Sequence, residues 1–225
     1  MDYVPYIVAS VVGYILGSMP NGYLVAKAHG VDIFKVGSGN PGATNVKRVL
    51  GSKAGNIVFA LDALKGALAA GWIYLLHGIS ADGIMFRSGD TFEDVRKLAL
   101  VGVVAAVLGH SFSIFTRFKG GKGVATAAGG LVVLMPVTCL IGGAVWLVTF
   151  YASRYVSLAS VLAAVAVPAA SWLRGNPLPL NLVATVLGLF VIVRHRENVK
   201  RLLNGTENRF VKKTASADEK EKSGS

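Results

Sequence analysis

Three clusters of glycine, cationic and hydroxyl or amide residues hold most of the side chains in this chain that can do chemistry. The first is Gly-Ser-Gly-Asn-Pro-Gly-Ala-Thr-Asn at 37–45, closely followed by Lys47 and Arg48. The second is Lys-Gly-Gly-Lys-Gly at 119–123, and the third begins with Arg-His-Arg at 194–196. Glycine lets backbone N–H groups approach an anion closely, and lysine and arginine supply the opposite charge. We interpret the clusters as phosphate-binding segments.

The first cluster combines a glycine loop with the start of a predicted short helix. Four of its side chains can bond a phosphate group: Ser38, Asn40, Thr44 and Asn45. Its glycines and proline exclude a regular helix, and we expect Thr44 to cap a helix that carries Lys47 and Arg48. Such a helix start beside a glycine loop is typical of an anion site. The alternative is an ordinary turn, but a connection of about 25 residues is much longer than turns require.

The second cluster resembles a phosphate nest but not a nucleotide-binding P-loop. No glycine lies five residues before Gly121, and Gly123 stands where a Ser or Thr would bind magnesium. We therefore expect no ATPase activity and no metal site. The alternative is a membrane anchor with a flexible turn. His110 precedes this cluster within an apolar segment, where it either takes part in catalysis or bonds a neighbouring helix.

The third cluster places His195, Asn198 and Arg201 at i, i+3 and i+6, which is one face of a helix. An imidazole, an amide and a guanidinium on one face can hold a phosphate and polarise a hydroxyl. The alternative is a set of cations that reach from the membrane to its surface. That alternative explains neither His195 nor Asn198.

The clusters lie at the ends of long apolar segments, which identify an integral membrane protein. Of the 225 residues, 53% are hydrophobic and 16% are charged, and the mean hydropathy is +0.55. A soluble domain carries about 25% charged residues. Because about 20 apolar residues cross a bilayer as a helix, we predict an all-α polytopic protein. Its seven predicted transmembrane helices are 3–26, 55–76, 98–115, 124–135, 137–151, 156–172 and 180–193.

The fourth and fifth predicted helices are short and are separated by Pro136. We expect a tight helical hairpin there, and the alternative is one long kinked helix. The single cysteine, Cys139, excludes a disulfide within the chain. The N-terminus lacks a basic segment, so we interpret the first helix as retained. We predict one catalytic domain over 1–213 and a disordered polar tail over 214–225.

Charge orients the predicted helices. With seven spans, 18 of the 23 lysine and arginine residues lie on one side, together with all three clusters. The positive-inside rule then places the N-terminus outside and the C-terminus in the cytoplasm. A six-helix arrangement would separate the third cluster from the other two. The net charge of +11 thus reflects topology and attraction to anionic lipid, and no separate basic domain indicates nucleic-acid binding.

Two further features of the sequence bear on function. Asp62 and Lys65 lie inside the second predicted helix, and we predict an internal salt bridge because unpaired charges in a membrane are costly; a part in proton transfer is a remote alternative. His77 and Asp82 match the His-x4-Asp pattern of acyl-CoA-dependent glycerolipid acyltransferases. The predicted topology puts this pattern on the outer side, away from the clusters, so we interpret it as a chance match.

The clusters and their flanks resemble the bacterial acyl-phosphate:glycerol-3-phosphate acyltransferases, small membrane enzymes of phospholipid synthesis. The resemblance rests on the motifs at 37–48, 62–66, 109–126 and 194–198, and it extends from residue 17 to residue 207. The segment 77–97 looks like an extension. Residues after 213 have no counterpart in the family.

This resemblance implies a seven-helix enzyme that moves an acyl group from acyl-phosphate to the 1-hydroxyl of sn-glycerol 3-phosphate. The products would be lysophosphatidic acid and phosphate, formed without a cofactor, acyl-CoA, acyl-carrier protein or acyl-enzyme. We expect a monomer in the bacterial inner membrane, with its active site facing the cytoplasm. The resemblance places the catalytic contacts on five residues: Ser38, Arg48, Lys122, His195 and Asn198.

We assign further residues of the clusters to substrate binding: Gly37, Gly39, Asn40, Thr44, Asn45, Gly120, Gly121, Gly123 and Arg201. In this hypothesis Arg48 and Lys122 neutralise phosphate charge, and Ser38 acts with the loop amides on the acyl-phosphate. His195 and Asn198 orient glycerol 3-phosphate, and the base is either His195 or a substrate phosphate oxygen. Two rival functions share the cations and the apolar segments. They are transport of an organic phosphate and a non-catalytic scaffold that binds anionic lipid.

Overall fold

The computed structural model describes residues 3–79 and 91–210, without the side chains of 78 and 79. Within these ranges the chain is helical and contains no β-strand. The helices are α1 Val4–Ser18, α2 Asn21–Ala28, α3 Ala43–Leu50, α4 Ser52–Ile79, α5 Phe92–Ser111, α6 Val124–Leu134, α7 Pro136–Ser153, α8 Val156–Leu173, α9 Leu178–Arg194 and α10 Arg196–Leu203. The predicted all-α class is confirmed. The predicted tail at 214–225 and Asp82 of the His-x4-Asp pattern lie outside the described residues.

Apolar helices occupy all seven predicted positions, but they differ in length. In the described ranges, five segments are long and apolar enough to cross a bilayer: Val4–Ala28, Ser52–His77, Phe92–Thr116, Pro136–Ser153 and Val156–Leu173. A sixth arises if α9 and α10, which meet at a 56° bend, are counted together. Helix α6 has 11 residues, about 16 Å, which is roughly half the hydrocarbon thickness. Seven complete crossings therefore stay a prediction.

The first predicted helix is not continuous, contrary to our expectation. It is interrupted at Met19 and Pro20, between α1 and α2. Met19 has φ −54° and ψ 114°, the extended conformation that a following proline favours. The break turns the Met19 carbonyl out of the helix, and the Lys65 Nζ donates a hydrogen bond to it at 2.8 Å. The interruption thus supplies an acceptor for the buried charge of Lys65 in α4.

Helices α6 and α7 form the predicted hairpin. The Cys139 Sγ lies 3.5 Å from the Ala128 carbonyl oxygen. In one continuous helix, residues eleven positions apart would be about 16 Å apart along the axis, so α7 folds back against α6. Pro136 is the first residue of α7, where its missing N–H costs no helical hydrogen bond. The alternative of one long kinked helix is wrong.

Small residues let the helices pack closely. A Cβ on Gly17 would collide with the Ala106 backbone in α5, and a Cβ on Gly129 would collide with the Ala63 backbone in α4. This is the close approach that glycine permits between membrane helices. Helix α1 packs mainly on α5, α6 on α4, and α7 on α8, which also packs on α9. Helices α4 and α7, which both pack on α6, line one cavity together.

Candidate active site

The three clusters meet in one pocket of about 140 Å³. Nine predicted site residues line it: Ser38, Asn40, Thr44, Asn45, Arg48, Lys122, Gly123, His195 and Asn198. Five more polar side chains that can carry charge or a hydroxyl group also line it: Asp62, His110, Ser157, Ser160 and Glu207. The clusters therefore lie at the same end of the helix bundle, as the charge distribution predicts.

The glycine loop of the first cluster is shaped by its own side chains. Gly37 and Gly39 have positive φ angles of 60° and 66°, which other residues rarely adopt. The Ser38 N–H donates to the Asn45 Oδ1 at 2.9 Å, and the Asn45 Nδ2 donates to the Val36 carbonyl at 3.0 Å. Asn45 is buried. Its amide therefore holds the loop that presents Ser38, and the two glycines lie outside the pocket lining.

The N-terminal end of α3 faces the pocket. The helix starts at Ala43 and its N-cap is Gly42, so the prediction that Thr44 caps it is wrong. No side chain in the described part of the chain caps this end. Instead Gly42, Ala43 and Thr44 themselves line the pocket. Free N–H groups and the helix dipole at such an end favour a bound anion. Helix α3 carries Lys47 and Arg48 as predicted.

The glycines of the second cluster pack against the end of α5. A Cβ on Gly120 would collide with the His110 carbonyl, and one on Gly121 would collide with the His110 ring. The Arg194 Nη2 donates to the Gly121 and Gly120 carbonyls at 2.9 and 3.3 Å. The two glycines therefore lie outside the pocket lining, and they fix the turn that directs Lys122 into it.

The predicted salt bridge between Asp62 and Lys65 is present, with the Lys65 Nζ 2.9 Å from the Asp62 Oδ1. Asn21 donates to the same oxygen at 3.1 Å. The Nδ1 of His110 lies 3.6 Å from it. These contacts join α2, α4 and α5 at the wall of the pocket and match the structural alternative for His110. Its part in catalysis is untested.

A chain of hydrogen bonds connects the second and third clusters. The Lys122 Nζ donates to the Asn198 Oδ1, and the Asn198 Nδ2 donates to the Glu207 Oε1 at 2.8 Å. Glu207 also accepts from the Ser157 hydroxyl at 2.9 Å and from the Arg201 Nε at 2.7 Å. Arg201, which we assigned to substrate binding, lies behind Glu207 and outside the pocket lining.

Burial shifts the pKa values of these groups. Burial lowers the pKa of Lys122 to about 8, an effect that Glu207 opposes and nearby arginines reinforce. Burial also lowers the pKa of Arg48. Burial alone would raise the pKa of Glu207, but hydrogen bonds from Asn198, Arg201 and Ser157 hold it below its ordinary value. The pocket thus holds cations at some cost in solvation, which a bound anion would offset.

His195 is buried between α9 and α10 with a defined tautomer. Its Nδ1 lies 2.8 Å from the Val191 carbonyl. A carbonyl only accepts hydrogen bonds, so Nδ1 carries the proton and Nε2 is the acceptor nitrogen. Burial and the charge of Lys122 keep the pKa of His195 below its ordinary value. The imidazole is therefore neutral near pH 7 and can accept a hydrogen bond from a hydroxyl.

Glu207 and Ser157 are site residues that the sequence analysis did not assign. The sequence does distinguish Glu207, because it is the only acidic residue between 198 and 217. Its side chain is only 2% exposed. Ser157 is one of several serines in an apolar helix, and nothing in the sequence distinguishes it from the others.

The polar pocket opens into an apolar cavity of about 590 Å³. Thr44, Phe59, Val124 and Trp146 line both spaces. The cavity continues between α4, α6, α7, α8 and α9. Its size is within the range of small-molecule sites, and its walls suit a hydrocarbon chain.

Comparisons with known proteins agree with this geometry. The family model described as glycerol-3-phosphate acyltransferase matches residues 7–205. A glycerol-3-phosphate acyltransferase of Aquifex aeolicus is 45% identical over 197 residues, which are 88% of this chain and 95% of that protein. A second, from Rubrobacter xylanophilus, is 44% identical over 198 residues, 88% of this chain and 92% of that protein.

Two solved structures are also similar. One is the glycerol 3-phosphate form of PlsY, an integral membrane glycerol 3-phosphate acyltransferase, with a TM-score of 0.79 and 40% identity. The match covers 92% of this chain and 96% of that one. The lysophosphatidic acid form has a TM-score of 0.76 and 41% identity, over 92% and 95% of the two chains.

Proposed function

Because the chain belongs to the glycerol-3-phosphate acyltransferase family, we propose that it transfers an acyl group from acyl-phosphate to the 1-hydroxyl of sn-glycerol 3-phosphate. The bond between the acyl carbon and the phosphate oxygen breaks, and an ester to the glycerol oxygen forms. The products are lysophosphatidic acid and inorganic phosphate. The observation that carries the proposal is a polar pocket, lined by Arg48 and Lys122, that opens directly into an apolar cavity of about 590 Å³.

The two phosphates of this reaction need opposite charge at one place. Arg48 and Lys122 line the same pocket and supply it. The N-terminal end of α3 adds backbone donors for the acyl-phosphate, and the loop places Ser38, whose hydroxyl can donate, at the pocket. An Arg48→Ala protein that folds well and keeps full activity would contradict this assignment.

The acceptor hydroxyl needs orientation and loss of a proton. The neutral His195 offers its Nε2 as an acceptor for that hydroxyl. The base is either this nitrogen or an oxygen of the substrate phosphate. Both ends of the Asn198 amide are bonded within the protein, to Lys122 and to Glu207. We therefore assign Asn198 to positioning Lys122.

Little else is required of the protein. Acyl-phosphate is a mixed anhydride, so its phosphate leaves with little help from an acid. Alignment of the hydroxyl with the carbonyl can lower the barrier by about 7–11 kcal/mol. A donor directed at developing negative charge can add about 3–4 kcal/mol. No covalent acyl-enzyme and no metal or cofactor enters this mechanism.

The apolar cavity would hold the acyl chain. It reaches from the polar pocket to Cys139, Val167 and Leu187, in the interior of the helix bundle. A chain in this cavity has its phosphate end at the pocket, beside the cations. We place the enzyme in the bacterial inner membrane, with seven helices and the pocket on the cytoplasmic side. The excess of basic residues on the side of the clusters supports this orientation.

The decisive experiment is phosphate release by the purified protein given palmitoyl-phosphate, with and without glycerol 3-phosphate. We expect release that depends on glycerol 3-phosphate, with an equal amount of lysophosphatidic acid. Formation of lysophosphatidic acid and free CoA from palmitoyl-CoA would instead assign a different donor. If neither donor yields lysophosphatidic acid, the result would favour transport of an organic phosphate or a lipid-binding scaffold.

A further inference from the structure

After α10 the chain crosses the mouth of the site as a short segment, residues 207–210, which we call the strap. One end of it is bound to the turn between α7 and α8. The Phe210 N–H donates to the Arg154 carbonyl at 2.9 Å, and the Arg209 Nε donates to the Ser153 carbonyl at 3.2 Å. The Ser157 hydroxyl bonds Glu207 at 2.9 Å. These contacts fix the strap to α7 and α8.

The strap also contacts α3, on the other side of the site. The Arg48 Nη2 donates to the Asn208 carbonyl at 3.1 Å. The Phe210 ring lies beneath the Arg48 guanidinium, with 5.4 Å between the Cζ and the ring centroid. Helix α3 packs mainly on α4, and α7 packs mainly on α8. The strap therefore connects α3 with α7 and α8, all of which line the apolar cavity.

Phe210 lies at the junction of the two spaces. Its ring lines the apolar cavity and packs edge-on against Phe150, with 6.0 Å between the centroids. The same ring lies under the guanidinium of Arg48, which lines the polar pocket. The chain of the acyl donor and its phosphate must meet at this junction if they occupy the two spaces.

A cation–π contact suits an arginine that has to bind phosphate. Because the ring attracts the Arg48 cation without acting as an oxygen acceptor, N–H groups of the guanidinium stay available for phosphate oxygens. One of the five N–H donors of the guanidinium bonds the Asn208 carbonyl. An arginine that is already held in place loses less side-chain freedom when it binds.

We propose that Phe210 is a positioning residue, which holds the Arg48 guanidinium where the phosphate of the acyl donor binds. The inference rests on the proposed function and deepens it, because it assigns Arg48 to the donor phosphate. It predicts that loss of the aromatic face weakens binding of that phosphate whatever the length of the acyl chain.

The test compares Phe210→Leu, which removes the ring, with Phe210→Tyr, which keeps it. We expect Phe210→Leu to raise KM for palmitoyl-phosphate about fivefold to tenfold with less change in kcat, and Phe210→Tyr to restore the wild-type KM. Phe92→Leu is the matched control, because Phe92 also stacks under an arginine, Arg96 at 5.2 Å, but lies outside the site. Its KM should stay at the wild-type value.

Two further measurements separate the outcomes. KM for lauroyl-phosphate should rise by the same factor as KM for palmitoyl-phosphate. A rise with palmitoyl-phosphate alone would overturn the proposal, because Phe210 would then act as a wall of the cavity. Binding of inorganic phosphate to the purified protein should weaken in Phe210→Leu and not in Phe210→Tyr, whether or not the protein turns over acyl-phosphate. An inactive wild-type protein would contradict the proposed function, and equal phosphate binding in all variants would contradict the role of Phe210.

Discussion

The ammonium group of Lys122 donates a hydrogen bond to the side-chain oxygen of Asn198, although 76 positions separate the two residues. Asn198 is held in turn by Glu207, at 2.8 Å. A flexible lysine is thus fixed by an amide that has a single orientation, because its nitrogen must donate to the carboxylate. This arrangement allows a lysine between two helices to hold a defined position in the pocket before any substrate binds.

The first prediction concerns that amide. Asn198→Ala should lower kcat/KM by about 10-fold to 100-fold, because a hydrogen bond to a charged group contributes about 1.5–3 kcal/mol. Arg201→Gln is the matched control, since Arg201 bonds Glu207 from outside the pocket. It should lower the unfolding temperature, because the buried Glu207 loses one of its partners, but leave kcat/KM within about threefold of wild type. Steady-state kinetics and thermal unfolding in detergent check both variants. Equal kinetic losses in the two would contradict the assignment.

The second prediction concerns pH. The pKa of Lys122 is lowered to about 8, so the side chain is cationic below that pH and becomes neutral above it. Activity that needs its charge should fall as the pH rises through about 8. Lys122→Arg keeps a charge at every pH of the assay. We expect its maximal rate to be lower than that of the wild type and its loss of activity to occur at higher pH.

The profile of kcat/KM against pH, measured for both proteins, checks the prediction. The direction of the pH effect is specific to the lysine. A neighbouring base of low pKa, such as His195, would produce a decline towards acid pH instead. A wild-type profile that stays level well above pH 8 would show that the lysine charge is dispensable.

Much of this arrangement could be predicted from the sequence. Membrane helices follow from long apolar runs, and the asymmetry of charge predicts that the clusters share one end. Pro136 predicts the hairpin of α6 and α7, which the contact between Cys139 and Ala128 confirms. These features depend on local composition, so no tertiary information is required.

Other features depend on contacts that the sequence does not specify. Pro20 is a local signal for the break at Met19. The consequence of the break, a carbonyl acceptor for Lys65, depends on a residue that is distant in the sequence. Thr44 has the chemistry of a cap, yet the loop places Gly42 there, because Asn40 and Asn45 bond the loop internally. Glu207 became part of the site only because the chain returns across it after α10.

The third prediction concerns the buried ion pair. Asp62→Asn removes the charge opposite Lys65, whose side chain is only 7% exposed. An unpaired buried charge costs about 3–5 kcal/mol, so this variant should unfold at a clearly lower temperature. The double variant Asp62→Leu with Lys65→Met should recover most of that loss, because well-packed apolar residues often replace a buried pair without cost.

Thermal unfolding in detergent measures this stability, and phosphate release measures function. Asp62 lines the pocket whereas Lys65 does not. If the double variant is stable and active, the pair has only a structural part. If it is stable and inactive, Asp62 has a further part in the reaction through His110, 3.6 Å away.

The fourth prediction tests the cavity as the site of the acyl chain. Gly143 lines the cavity, and a Cβ built there meets no atom within 4 Å. Gly143→Leu should therefore fill part of the cavity without straining the fold. We expect KM for palmitoyl-phosphate to rise about tenfold or more, since a chain displaced by even two methylene groups loses about 1.6 kcal/mol of burial. KM for a short-chain acyl-phosphate should change little.

Gly71→Leu is the matched control, because Gly71 also has open space around its Cβ but does not line the cavity. Both substitutions replace a helical glycine and raise helix propensity by a similar amount, so stability should not distinguish them. The ratio of KM for long-chain to KM for short-chain donors should change in Gly143→Leu alone. If both variants keep the wild-type ratio, the acyl chain lies elsewhere, and the most direct alternative is the lipid-facing surface beside α4. If both lose activity with every donor, the effect is on packing of the helices, because chain length would then have no influence.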